Sequence, residues 1–145
     1  MPTSDTIDRP ASAVRRPAPG AIAALTATEG LAALAQGSLT CEAWAHACLD
    51  RIDERNAGVH AWVRVDAEGA LARAREWDRH GRRRLLDGVP LGIKDTIDTA
   101  DMPTELGDPE IFPGRQPEAD APVVARARAL GFNVLGKNTV SRHAI

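Results

Sequence analysis

Tyrosine is absent from this sequence, and aromatic residues make up only 3% of it: Trp44, Trp62, Trp77, Phe112 and Phe132. Alanine supplies much of the 43% hydrophobic content, and alanine buries little area per residue, so a thin core is expected for 145 residues. That length suits one compact domain rather than two. No apolar run approaches the roughly 18 residues that would suggest a membrane span. Neither sign of charge is in excess: the net charge of −2 gives no global attraction to nucleic acid or to an anionic membrane. At the N-terminus Pro2, Asp5, Asp8, Arg9 and Pro10 interrupt any apolar secretory segment, so a cytoplasmic protein is expected.

Cysteine is also scarce. Cys41 and Cys48 fall seven residues apart in one predicted helix. At about 1.5 Å of rise per residue their Cα atoms stand ~10 Å apart, too far for a disulfide. Two reduced, buried thiols are expected, as suits a reducing compartment. Metal-ligand spacing is missing, since His46, His60, His80 and His143 do not pair with one another or with a cysteine at a useful interval. No cofactor and no metal are implied. There is no GxSxG, and no serine sits in a glycine-rich turn, so the residues alone nominate no nucleophile.

What is present reads as an α/β chain. Residues 1–22 hold Pro2, Pro10, Pro17, Pro19 and Gly20 with little apolar periodicity, the pattern of a disordered tail. Thr26-Ala-Thr-Glu29 is a capping box opening a short helix through Gln36, with Gly37 to end it. Thr40 caps a second helix whose face is Cys41, Trp44, Ala45, Cys48, Leu49 and Ile52, ending at Asn56-Ala-Gly58. Val59, Ala61 and Val63 alternate as a short strand. Asp66 caps a third helix, with Ala67, Ala70, Leu71, Ala74 and Trp77 on one face and Gly81 at its end. Residues 88–93 form a strand entering the core, and 95–117 are mostly irregular. Asp120 caps a fourth helix with Val123, Val124, Ala127 and Leu130 buried, and Phe132–Leu135 form a second core strand. The two core strands with the helix between them make a parallel pair joined by a crossover.

Candidate chemical groups divide quickly. Lys94 ends the run Val89-Pro-Leu-Gly-Ile93, where a lysine must find partners, reach water or become neutral. It is therefore either a base or a strand-end lysine whose head is solvated or paired with Asp95 or Asp98. Asp95, Asp98 and Asp101 read as surface loop carboxylates rather than a cation site, because no calcium loop follows. Gly131–Lys137 matches GxxxxGK, but Asn138 stands where a Ser or Thr is required and a helix precedes it, so nucleotide binding is rejected. Arg82-Arg83-Arg84 reads as a solvated turn.

Residues 88–104, GVPLGIKDTIDTADMPT, resemble the segment of the amidase signature family that carries its catalytic lysine. Residues 61–78 and 120–137 resemble the segments on either side, and the likeness covers about 25–145. The resemblance implies the N-terminal fragment of that family's fold, a mixed sheet flanked by helices, with residues 23–145 as an incomplete amidase domain. It implies hydrolysis of amide carbon–nitrogen bonds by a Ser–cis-Ser–Lys triad, with Lys94 as the base. The family's Gly/Ser-rich signature lies downstream of the segment matching 132–145. The sequence is accordingly expected to lack the serines and the oxyanion loop, and to be inactive alone. The expected partners are a small-molecule amide and another chain supplying the missing part; a non-catalytic remnant is the alternative. Asp108 and Arg142-His143 depart from the family pattern.

Overall fold

The computed structural model describes residues 19–142. Its elements in chain order are α1 (Pro19–Ile22), α2 (Ala27–Ala35), α3 (Cys41–Val59), β1 (Trp62–Val65), α4 (Ala67–His80), β2 (Pro90–Lys94), α5 (Pro122–Leu130) and β3 (Asn133–Asn138). Of the tail expected over 1–22, residues 1–18 lie outside the described residues. Pro19–Ile22 instead form a helical turn, because Ile22 is an apolar anchor buried with Leu39, Trp44, Ala47 and Val89.

The strands form one mixed sheet of order β1-β3-β2. β2 and β3 are parallel and joined through α5, as the sequence predicts. β1 runs antiparallel on the other side of β3. The central strand is therefore the last in sequence, and it is buried from Asn133 to Lys137. It also runs three residues beyond the predicted Leu135. The polar residues Gly136-Lys137-Asn138 read as a strand end, yet both neighbours hydrogen-bond to them.

The helix starts follow their capping chemistry. The Thr26–Glu29 capping box is reciprocal, and Thr40 and Asp66 accept from Ala43 N and Gly69 N. One further cap is long-range. Asp78 on α4 accepts from Cys41 N and Glu42 N, both at 2.9 Å, so a carboxylate from one helix closes the positive end of another. The same contact packs Ala74 against Cys41 and Ala45. On the other side of α4, Arg73 donates to Asn133 Oδ1 and Val134 O, and Asn133 Nδ2 donates to Ala70 O. These bonds fasten the helix to the central strand.

Several boundaries differ from the sequence reading. α3 continues through Gly58 to Val59 and ends on His60 in the left-handed region at φ 53°. The strand then starts at Trp62 rather than Val59. Asn56 sets that start, because its side-chain amide donates to Trp62 O and accepts from Trp62 N. Asp120 does not cap α5. Ala121 holds that position, while Asp120 accepts from Ala100 N and pairs with Arg128. Val124 is fully buried against Ile93, Met102 and Val134, but Val123 points to solvent. Cys41 is buried and Cys48 only half-buried; both thiols are free. Burial first, then the neighbouring Asp78 carboxylate, pushes the Cys41 thiol up to about 12.

This packing can be checked at two positions. A methyl group on Gly136 would collide with the Arg64 carbonyl of β1, a wall of backbone that cannot rotate away. Gly136→Ala is expected to cost about 1–3 kcal/mol in chemical denaturation, with β1 detached first. For Cys41, the folded state keeps its thiol proton to about pH 12, whereas the unfolded chain loses it near pH 9. Stability is therefore expected to fall as pH rises through that window, and Cys41→Ala to flatten the profile.

Candidate active site

The region around Lys94 is set by strand register. Leu91 pairs with Val134, but Gly92 pairs with Gly136, so Leu135 is an extra residue that bulges β3 by one position. Beyond the bulge Ile93 stands beside Lys137, and Lys94 beside Asn138. Ile93 belongs to the core under α5. By strand alternation Lys137 faces the same side, and Lys94, Gly92 and Asn138 face the other. The one-residue bulge thus separates the only two lysines of the sequence onto opposite faces of the same sheet end.

Their environments are opposite as well. Lys94 is exposed, and its amine has no hydrogen-bond or ion-pair partner among the described residues. On that face Gly92 lies against the Asn138 side chain and the Trp62 ring. Lys137 is 0% exposed. Its ammonium donates to Ile97 O at 2.8 Å and Thr104 Oγ1 at 2.6 Å, with Asp95 Oδ1 at 3.9 Å. Desolvation lowers the pKa of Lys137, and the carboxylates of Asp95, Asp98 and Asp101 oppose that shift.

The three carboxylates expected at the surface have separate duties. Asp95 is buried, which corrects the sequence reading. Its carboxylate accepts from Glu105 N and Gly107 N, and its carbonyl accepts from Leu106 N. Desolvated and ringed by amide donors, it fixes the loop that leaves Lys94. Leu106 holds a left-handed backbone at φ 57°, a conformation costing about 1–2 kcal/mol for a residue with a Cβ. Asp98 makes a two-point ion pair with Arg115, and that hydrogen-bonded guanidinium lowers the Asp98 pKa. Asp101 pairs with Arg128. Among the described residues no group of three His, Cys, Asp or Glu side chains is arranged to hold a metal.

The other sequence candidates scatter. Arg84 and the backbone of Arg83 bind Asp87, so the arginine loop is tied internally rather than wholly solvated. His46 sits near Glu42, and His143 lies outside the described residues. Arg142 approaches the buried Asp108 carboxylate at 3.5 Å. Sequence reasoning missed Lys137 and Asp95, because a one-residue bulge decides which face each strand end presents. No local signal marks them, since Gly92-Ile-Lys94 and Leu135-Gly-Lys137 close their apolar runs alike.

Contrasting exposure gives a direct check. An amine acylating reagent applied to the folded chain is expected to modify Lys94 and spare Lys137, which becomes reactive only on denaturation. Peptide mapping by mass spectrometry reads the difference; equal labelling of both lysines in the folded chain would contradict the placement.

Known proteins resemble this chain in sequence and in fold. Residues 43–145 match the amidase family. The chain is 39% identical over 126 residues to a glutamyl-tRNA(Gln) amidotransferase subunit of Oleidesulfovibrio alaskensis, covering 86% of this chain and 26% of that protein. It is 41% identical over 125 residues to the corresponding subunit of Streptomyces coelicolor, covering 83% and 25%. Among solved structures, native peptide amidase from Stenotrophomonas maltophilia superposes with a TM-score of 0.72 at 32% identity, covering 80% of this chain and 25% of that one. An amidase family protein from Bacillus anthracis shares the fold, with a TM-score of 0.75 at 24% identity over 86% and 26% of the two chains. The chain thus spans about a quarter of the length of the relatives it matches. With that match across most of its residues, and an α/β fold corresponding to one part of theirs, this chain belongs to the amidase family.

Proposed function

We propose that this chain contributes the general base of an amide-hydrolysing site, with Lys94 as that base, and that it does not turn over substrate alone. The observation carrying the proposal is the position of Lys94. It closes β2 inside a segment with the family's lysine pattern, and its amine is exposed with no partner among the described residues. An amine that is to accept a proton from a hydroxyl needs such an unoccupied approach. A serine nucleophile would attack the amide carbonyl, a second serine would pass the proton to Lys94, and an acyl-enzyme would form as the amine leaves.

On this reading the nucleophile is not one of the described serines. Ser38 Oγ donates to Ala33 O in the turn between α2 and α3, and Ser141 lies beyond the sheet. The serines and the oxyanion donors are assigned to polypeptide equivalent to the remaining three quarters of the relatives, in the same chain or in another. An apolar surface supports docking of such polypeptide. A cleft of 410 Å³ lies along α3 and the sheet, lined by Ile52, Val59, Trp62, Leu91 and Leu135 among others, and Val59, Val63 and Val65 are exposed. No helix of the described residues is long and apolar enough to cross a membrane. Free Cys41 and Cys48 fit a reducing compartment, taken as the cytoplasm.

Hydrolysis of simple amides is the test, using the chain alone and the chain joined to the remaining three quarters of the Streptomyces coelicolor relative. The chain alone is expected to show no lysine-dependent turnover. The joined protein is expected to hydrolyse amides, and Lys94→Ala to lower its rate about 10²–10⁴-fold. Lysine-dependent turnover by the chain alone, or full activity of the joined Lys94→Ala protein, would contradict the proposal. Binding of a hydrophobic dye by the chain alone, lost on joining, is the expected sign of the uncovered cleft.

A further inference from the structure

We infer that Lys137 is the positioning residue for Lys94, acting through the sheet from its opposite face. The two never meet; they are connected by backbone. Lys94 O accepts from Ile97 N at 2.9 Å, closing the turn that follows β2. Ile97 O in turn accepts from the Lys137 ammonium. The same ammonium holds Thr104 Oγ1, and Thr104 Oγ1 lies 3.4 Å from Ile97 O. Asp95, next to Lys94, donates its N–H to Asn138 O, one residue past Lys137, and holds the far end of the loop through Glu105 N and Gly107 N. The peptide group between Lys94 and Asp95 is thereby held at its carbonyl by Ile97, whose own carbonyl Lys137 holds, and at its N–H by Asn138, the strand neighbour of Lys137.

Burial is what gives the clamp its stiffness. A solvated lysine exchanges acceptors freely, whereas an ammonium with no water must keep the protein oxygens it has. Lys137 is fully buried, and Thr104 is buried with it. A short turn at a strand end, carrying a side chain to be aimed within a fraction of an ångström, is where such stiffness has a use.

This inference rests on the proposed role of Lys94 as a base, but its test reads geometry rather than turnover, so the two can fail separately. Thr104→Val removes one acceptor at nearly constant shape; Lys137→Met removes the ammonium and keeps an apolar stem. Amide hydrogen exchange is measured in both variants, together with the ¹³C signal of reductively methylated Lys94. Ile97 exchange is expected to rise about tenfold or more, the loss of one hydrogen bond to a charged group, while the amides of α3 and α4 stay within about twofold. The Lys94 signal is expected to shift or narrow as its backbone loosens. If Ile97 exchange is unchanged, or rises in step with α3 and α4 while the Lys94 signal stays put, Lys137 serves general stability and the inference is overturned. Should Lys137→Met fail to fold, Thr104→Val gives the same decision.

Discussion

An ammonium group shut away from water has to be ringed by oxygens, and in this chain one such group orders everything near the candidate site. Lys137 sits in the middle strand with no solvent exposure. Its partners, Ile97 O and Thr104 Oγ1, come from the irregular segment after β2. That segment has little secondary structure to hold it, and the buried polar bonds of Lys137 and Asp95 take over that task. Removing the ammonium would leave Ile97 O and Thr104 Oγ1 without the donor that holds them. The polar cluster is thus a structural requirement before it is anything chemical.

The apolar parts of the fold are arranged around this strand. Ile93, Met102, Val124 and Val134 cover one face under α5, and Trp44 with Val89, Leu39 and Ile22 close the side under the N-terminal helices. The core is thin, as the small number of aromatics implies, so charged side chains do much of the joining. Arg73 carries α4 to β3, Asp78 caps α3, and Asp87 collects the loop before β2. At the end of β2 the Lys94 side chain stays exposed. The chain spans about a quarter of the length of its relatives, and Val59, Val63 and Val65 stay exposed on it.

Much of the fold was legible in the sequence. Thr26, Thr40 and Asp66 mark helix starts because capping is local chemistry. The parallel pair follows from two apolar runs and an intervening helix. For Lys94 the sequence left two readings, a base or a solvated strand end, and the periodicity does not distinguish them; only the motif around it favours the first. The burial of Lys137 and Asp95 was not legible, since it depends on the Leu135 bulge and on partners 33 and 40 residues away in sequence. Asp120 misled because a carboxylate one residue early caps a different segment, Ala100 N, rather than the helix beside it. Long-range register and side-chain competition are three-dimensional outcomes, and local pattern does not encode them.

The central claim is that the two lysines are physically different groups separated by one bulged residue. Nitrogen-15 labelling of lysine alone gives two side-chain signals in this chain, and their exchange with water is the most direct measurement. The account predicts one slowly exchanging, hydrogen-bonded nitrogen, assigned to Lys137 by its loss in Lys137→Met, and one in rapid exchange, assigned to Lys94. Two rapidly exchanging signals, or a slow signal that belongs to Lys94, would contradict it.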